Sequence, residues 1–175
     1  MTSAMTGQEL RFEQWANFYV AISGAAATLL GLLFVVITFA AERGRKDTMS
    51  LSTYLTPTVV YFTSVLLTST TLTIPTQTRL SAVICICFVG AAGLVYSASL
   101  LIRRGTGVSF YSRTDLFPYV VIPMAGYALM VAGSLLLLRR SQIGLDLAAL
   151  GMLDLLAIAI RDSWAIAITI TSSKD

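Results

Sequence analysis

The sequence predicts an all-α fold, an integral membrane helical bundle of five transmembrane helices. Three observations carry that expectation. Hydrophobic residues make up 56% of the 175 positions and charged residues only 12%, whereas soluble domains carry about 25% charged residues. The mean hydropathy is +0.79. The apolar residues fall in blocks of about 20, the length that crosses a hydrocarbon core of roughly 30 Å. The alternating segments of about 10 residues that build a membrane β-barrel are not seen.

The length allows one domain. Residues 15–170 are expected to form a single transmembrane helical domain, with 1–14 as an N-terminal tail and 171–175 as a C-terminal tail. The tail 1–14 is polar and of mixed charge. The block after it exceeds the apolar core of about 7–15 residues in a signal peptide, so it is expected to stay as a membrane helix.

The first helix is expected over residues 15–40. Trp15, Phe18 and Tyr19 suit a membrane interface. Ser23, Ala27 and Gly31 recur four apart, a small-residue face that lets another helix approach closely. A polar loop with Arg43, Arg45 and Lys46 leads to the second helix, 53–74. Pro57 is placed near its start, where a missing N–H is tolerated, and Pro75 ends it. Its many hydroxyls surround the helix and do not form one stripe. Bonding to the helix's own carbonyls or to neighbours is therefore the preferred reading over a polar path.

The third helix, 80–102, offers Gly90, Gly93, Ser97 and Ala98 as small contacts. Thr114-Asp115 can cap the fourth, 117–138, with Pro118 in its first turn and Pro123 as a kink near Gly126. Arg139 to Gln142 make a short turn, so the fifth helix, 143–170, is expected to run antiparallel to the fourth.

Several chemistries are excluded by composition. There is no histidine, which removes His-based triads, His metal sites and His-ligated haem. Cys85 and Cys87, two apart on a helix, point about 200° apart and cannot pair with each other. The net charge of +3 reflects loop Lys and Arg, and no basic stretch exceeds Arg43–Gly44–Arg45–Lys46, so nucleic acid is not an expected partner. The two lysines, Lys46 and Lys174, lie outside the apolar blocks, which leaves no Ser–Lys pair within the membrane. Phosphate-binding glycine loops are missing too. No enzyme activity, metal or cofactor is expected.

The charges of the last block are the features that demand a reason. Asp146, Asp154, Arg161 and Asp162 sit among apolar residues, and a charge at mid-membrane costs roughly 2.5–3.5 kcal/mol on insertion scales. Asp154 and Arg161, seven apart, share a face within about 20° and lie about 10.5 Å apart along the axis. They are the expected ion pair, with Asp162 turned away. The pair reads as a fastener of the bundle, as part of a polar path, or as a partner contact. Its depth depends on which residues of the block form the span.

For sidedness, five spans put Arg11, Arg79, Arg139 and Arg140 on one side. Arg43, Arg45, Lys46, Arg103, Arg104, Arg113, Arg161 and Lys174 fall on the other. Four against eight predicts a cytoplasmic C-terminus and an N-terminus outside.

Trp15-Ala16-Asn17-Phe18-Tyr19-Val20, followed by the run from Gly24 to Val35, resembles the opening of small bacterial membrane proteins, some labelled modulators of the FtsH protease. Their final helix carries an Asn-Ala/Ser-Trp step, where this chain has Asp162-Ser163-Trp164. The resemblance implies a bacterial inner-membrane bundle of regulatory character, with Trp164 inside the last span. The functional expectation is a non-enzymatic multi-pass inner-membrane protein, an accessory or regulatory partner acting through helix–helix contacts. The bilayer surrounds it, and its partner is another copy or another membrane protein. The alternative is an oligomeric channel or transporter, its polar path formed by the last helix and the Ser/Thr-rich second helix.

Overall fold

A computed structural model describes residues 2–42, 48–105, 120–139, 141 and 143–172. The described residues form five helices: α1 (Thr2–Glu42), α2 (Thr48–Leu72), α3 (Arg79–Gly105), α4 (Ile122–Leu138) and α5 (Ile143–Ser172). Four contain stretches long and apolar enough to cross a membrane, namely Trp15–Phe39, Leu55–Leu72, Arg79–Leu100 and Ile143–Ile168. The chain is thus a helical bundle with the make-up of a membrane protein. The shorter α4 has 17 residues, about 25 Å of helix, at the lower limit for a span.

Local chemistry sets the ends. α2 stops three residues before Pro75, and Thr73 N–H closes its last turn on the Ser69 and Thr70 carbonyls at 3.2 Å. α3 opens on a reciprocal cap: Ser81 N–H donates to Thr78 Oγ1 at 3.2 Å and Thr78 N–H to Ser81 Oγ at 3.1 Å. Serine here fills the place that Glu or Gln takes in a capping box. The turn after α4 is closed by Ser141 N–H on the Leu136 carbonyl at 3.0 Å.

Three expectations change. The first span stands at Trp15–Phe39 as expected, but its helix begins at Thr2, because nothing in 2–14 stops a helix propagating out of the apolar block. α2 begins at Thr48, so Pro57 lies inside it. It is tolerated there because neighbouring helices and side chains can satisfy the backbone that proline frees. Pro123 is the second residue of α4, not an interior one, and follows a π turn at Val120 and Val121. Residues 117–119, Pro118 and the Thr114-Asp115 cap lie outside the described residues.

The closest packing is α4 on α5, then α3 on α4 and α1 on α2, with α2 also against α5. Buried Tyr61, Phe62 and Val65 of α2, Tyr127 and Met130 of α4, and Met152 and Leu155 of α5 belong to one core. Phe88, Val95, Leu135, Leu150 and other large apolar side chains point outward, as a lipid-facing surface requires.

Candidate functional site on the last helix

The α4–α5 seam positions everything else on α5, and glycines make it. A Cβ placed on Gly151 would lie 2.5 Å from the Gly126 carbonyl oxygen, and one on Gly144 would lie 2.5 Å from that of Gly133. Gly126 and Gly133 are seven apart on α4, and Gly144 and Gly151 are seven apart on α5. The two helices run antiparallel, each glycine pair letting backbone approach backbone. α3 joins α4 in a related way. Gly90 faces the Tyr127 carbonyl and Val131, and a Cβ on Gly93 would fall within the Tyr127 ring. Tyr127 is held in turn by Ser64 of α2, hydroxyl to hydroxyl at 2.9 Å, and lies beside the Tyr61 ring.

On this frame the four charges of α5 separate. Asp146 is exposed in the first turn, within electrostatic range of the Tyr19 phenol on α1. Asp154 is half-buried at the α4 seam beside the Gly126 backbone. Its Oδ2, 2.5 Å from where a Gly126 Cβ would stand, has no hydrogen-bond partner among the described residues. Arg161 projects from the bundle with 46% of its side chain exposed, whereas Asp162 is 2% exposed.

The expected pairing of Asp154 with Arg161 therefore gives way to another. Arg161 pairs instead with Asp162, Nη1 to Oδ1 at 3.6 Å. That separation is too long for a hydrogen bond, and neither Asp162 oxygen has a hydrogen-bond partner among the described residues. The physical reason is the buried stripe of α5. Gly144, Ala148, Gly151, Leu155, Ile158, Asp162 and Ile166 follow one another at steps of three and four and are all buried. Asp162 is thus turned inward, and its neighbour Arg161 outward.

Depth follows from α1. Tyr19 stands near the level of Asp146, and α1 and α5 run in the same direction. Sixteen residues further along each helix are Val35 and Asp162. Phe39, the end of the α1 apolar stretch, is four residues on, so Asp162 lies about 6 Å inside that end. Trp164, 69% exposed, is then level with Ile37. The levels of Trp15 and Trp164 are separated by about 33 Å, close to the thickness of the hydrocarbon core. Tryptophans at both edges are what an interfacial belt provides.

The small residues of α1 fall on a different surface. Ser23 is half-buried and bonds the Val20 carbonyl, but Ala27 and Gly31 are exposed. A Cβ on Gly24 or Gly31 would meet nothing within 4 Å. The α1 face that packs inward is Tyr19, Ile22, Ala26 and Leu33. Within the bundle the close contacts are instead those of Gly90, Gly93 and the four α4–α5 glycines.

The hydroxyls of α2 bond mostly to their own helix. Ser64 reaches the Val60 carbonyl, Ser69 that of Val65 and Thr71 that of Leu67, at 2.7–2.8 Å. Thr68 Oγ1 is buried without a hydrogen-bond partner. Cys85 and Cys87 are free thiols. Among the described residues, no three His, Cys, Asp or Glu side chains gather as a metal site. No protein-family model, curated protein or solved structure matches the chain.

Proposed function

We propose that the protein is a non-enzymatic accessory or regulatory membrane protein that works through helix–helix contact within the bilayer. Its setting in this reading is a bacterial inner membrane, with the N-terminus outside and the C-terminus in the cytoplasm. The charge asymmetry of the loops and the resemblance of the first helix to FtsH-modulator-like proteins support that setting. The observation that carries the reading is the open face of α1. Gly24, Ala27, Thr28 and Gly31 line one side of the helix and are all exposed. Where the same seven-residue glycine spacing occurs on α4 and α5, it is closed by another helix to backbone distance. A second membrane helix, from another protein or from a second copy, fits the α1 face by the same chemistry.

A transport path draws less support, because Ser64, Ser69 and Thr71 of α2 are tied to their own carbonyls and Asp154 and Arg161 do not form the expected pair. The test is purification in mild detergent of wild type and Gly31→Leu. The wild type retains a membrane partner or a self-oligomer, and the variant loses it. A wild-type chain that carries neither overturns the proposal.

A further inference from the structure

Asp162 is the one described charged side chain that the bundle buries, and helix–helix contact gives it no role. It interrupts an otherwise apolar stripe on α5, between Ile158 and Ile166, at 2% exposure, and neither oxygen has a hydrogen-bond partner among the described residues. A bare carboxylate without donors is among the least favourable states a side chain can occupy in an apolar interior. Three things could relieve it: a paired cation, a bound metal ion or a proton.

The paired cation is Arg161, and its geometry is poor. The 3.6 Å separation exceeds a hydrogen bond, and the guanidinium sits on the outer surface with its side chain 46% exposed. A metal ion needs several oxygen ligands; calcium, for example, takes about six to eight. Among the described residues both Asp162 oxygens lack hydrogen-bond partners, and no acidic cluster accompanies them. A proton needs only one oxygen.

The surroundings agree. Arg161 is the charged group that acts on Asp162. On the helices packed against α5, the titratable side chains described are Tyr19 on α1, Tyr61 on α2 and Tyr127 on α4, with Arg139 just past the end of α4; Asp146 and Asp154 lie on α5 itself. Tyrosines are uncharged near neutrality. Asp154 lies eight residues back, about 12 Å along the axis, and Asp146 and Arg139 belong to the opposite end of the span.

We propose that Asp162 is a proton-binding site within the membrane bundle. The carboxyl holds its proton in the buried state and exchanges it with the aqueous phase beyond Ile168, the nearer edge of the apolar span. Release leaves a carboxylate that Arg161, one residue away on a flexible stem, can approach more closely. The inference stands apart from the proposed partner face on α1.

Infrared spectroscopy of the protein in lipid nanodiscs tests it. A protonated carboxyl in apolar surroundings gives a C=O stretch separate from the carboxylate bands. At pH 7 the wild type is expected to show this band, shifted by carbon-13 labelling of aspartate and lost as the pH is raised. Asp162→Asn removes the band, while Asp154→Asn and Arg161→Gln keep it. Asp162→Glu keeps an acid at the site but makes the band insensitive to aspartate labelling, so the assignment holds even where the Asn variant does not fold. A wild-type spectrum without the band makes Arg161 and Asp162 an ionised fastener and overturns the proposal. Loss of the band on adding sodium at constant ionic strength and pH makes the ligand a metal ion and overturns it equally.

Discussion

Replacing Gly151 by alanine puts a methyl group where the structure has none to spare. The new Cβ would stand 2.5 Å from the Gly126 carbonyl oxygen and 2.8 Å from Met130 Cγ. The methionine can swing aside, but the carbonyl belongs to a helix. Restoring ordinary contact at 3.4 Å means parting α4 and α5 by nearly 1 Å along the closest seam of the bundle. Overpacking of this kind costs about 1–3 kcal/mol. Alanine's better helix propensity returns about 1 kcal/mol, so the net loss is expected to be about 0–2 kcal/mol. Gly31→Ala on α1 is the matched control. Its Cβ meets nothing within 4 Å, so only the propensity term remains and stability rises by about 0.5–1 kcal/mol. Gly144→Ala repeats the clash against the Gly133 carbonyl at 2.5 Å. Because it opens the same seam, the double variant Gly144→Ala/Gly151→Ala should lose less than the sum of the singles. Reversible unfolding in mixed detergent micelles, followed by helicity, measures all four. A Gly151→Ala protein stabilised as much as Gly31→Ala, or a Gly31→Ala protein destabilised as much as Gly151→Ala, refutes the close-seam reasoning.

The Ser64–Tyr127 bond predicts a coupling energy between Ser64→Ala and Tyr127→Phe of about 0.6–1.7 kcal/mol in a double-mutant cycle; additive losses would remove it as an interhelical tie. Gly93→Ala drives a methyl into the Tyr127 ring, so it should cost about 1–3 kcal/mol and also abolish that coupling, as unfolding of the triple combination would register. Trp164 is expected to be quenched most by lipids brominated near the headgroup, whereas quenching greatest at the bilayer centre would move Arg161 and Asp162 deeper than an edge position.

Much of the fold was legible because the membrane imposes one dominant constraint. A block of about 20 apolar residues has few alternatives to a helix, and short connections such as Thr76 to Thr78 force antiparallel neighbours. The boundaries were harder. Thr2–Glu42 extends well beyond its apolar block, and hydropathy carries no signal for where a helix stops in water. The site was only partly legible. Seven-residue spacing correctly groups Asp154 with Arg161 by angle, but angle alone cannot say which face meets a neighbour. The stripe Leu155, Ile158, Asp162, Ile166 was present in the sequence as a three–four pattern through an acid, and reading apolar periodicity alone passes over it. The same holds for Gly126 with Gly133 and Gly144 with Gly151. A glycine every seven residues on two consecutive helices fits the close seam they form, whereas the same spacing of Gly24 and Gly31 on α1 falls on a face the bundle leaves open.

The account rests most heavily on five crossings, and α4 is the crossing with least length to spare. With five, the two ends of the chain lie on opposite sides of the membrane; with α4 lying along the surface, they share one. Cysteines placed singly at Ser3 and at Lys174, in a background lacking Cys85 and Cys87, can be probed with a membrane-impermeant maleimide in sealed vesicles of known orientation. Labelling of the two positions from opposite faces, with Lys174 on the cytoplasmic side, is the predicted result. Labelling of both from the same face would contradict it.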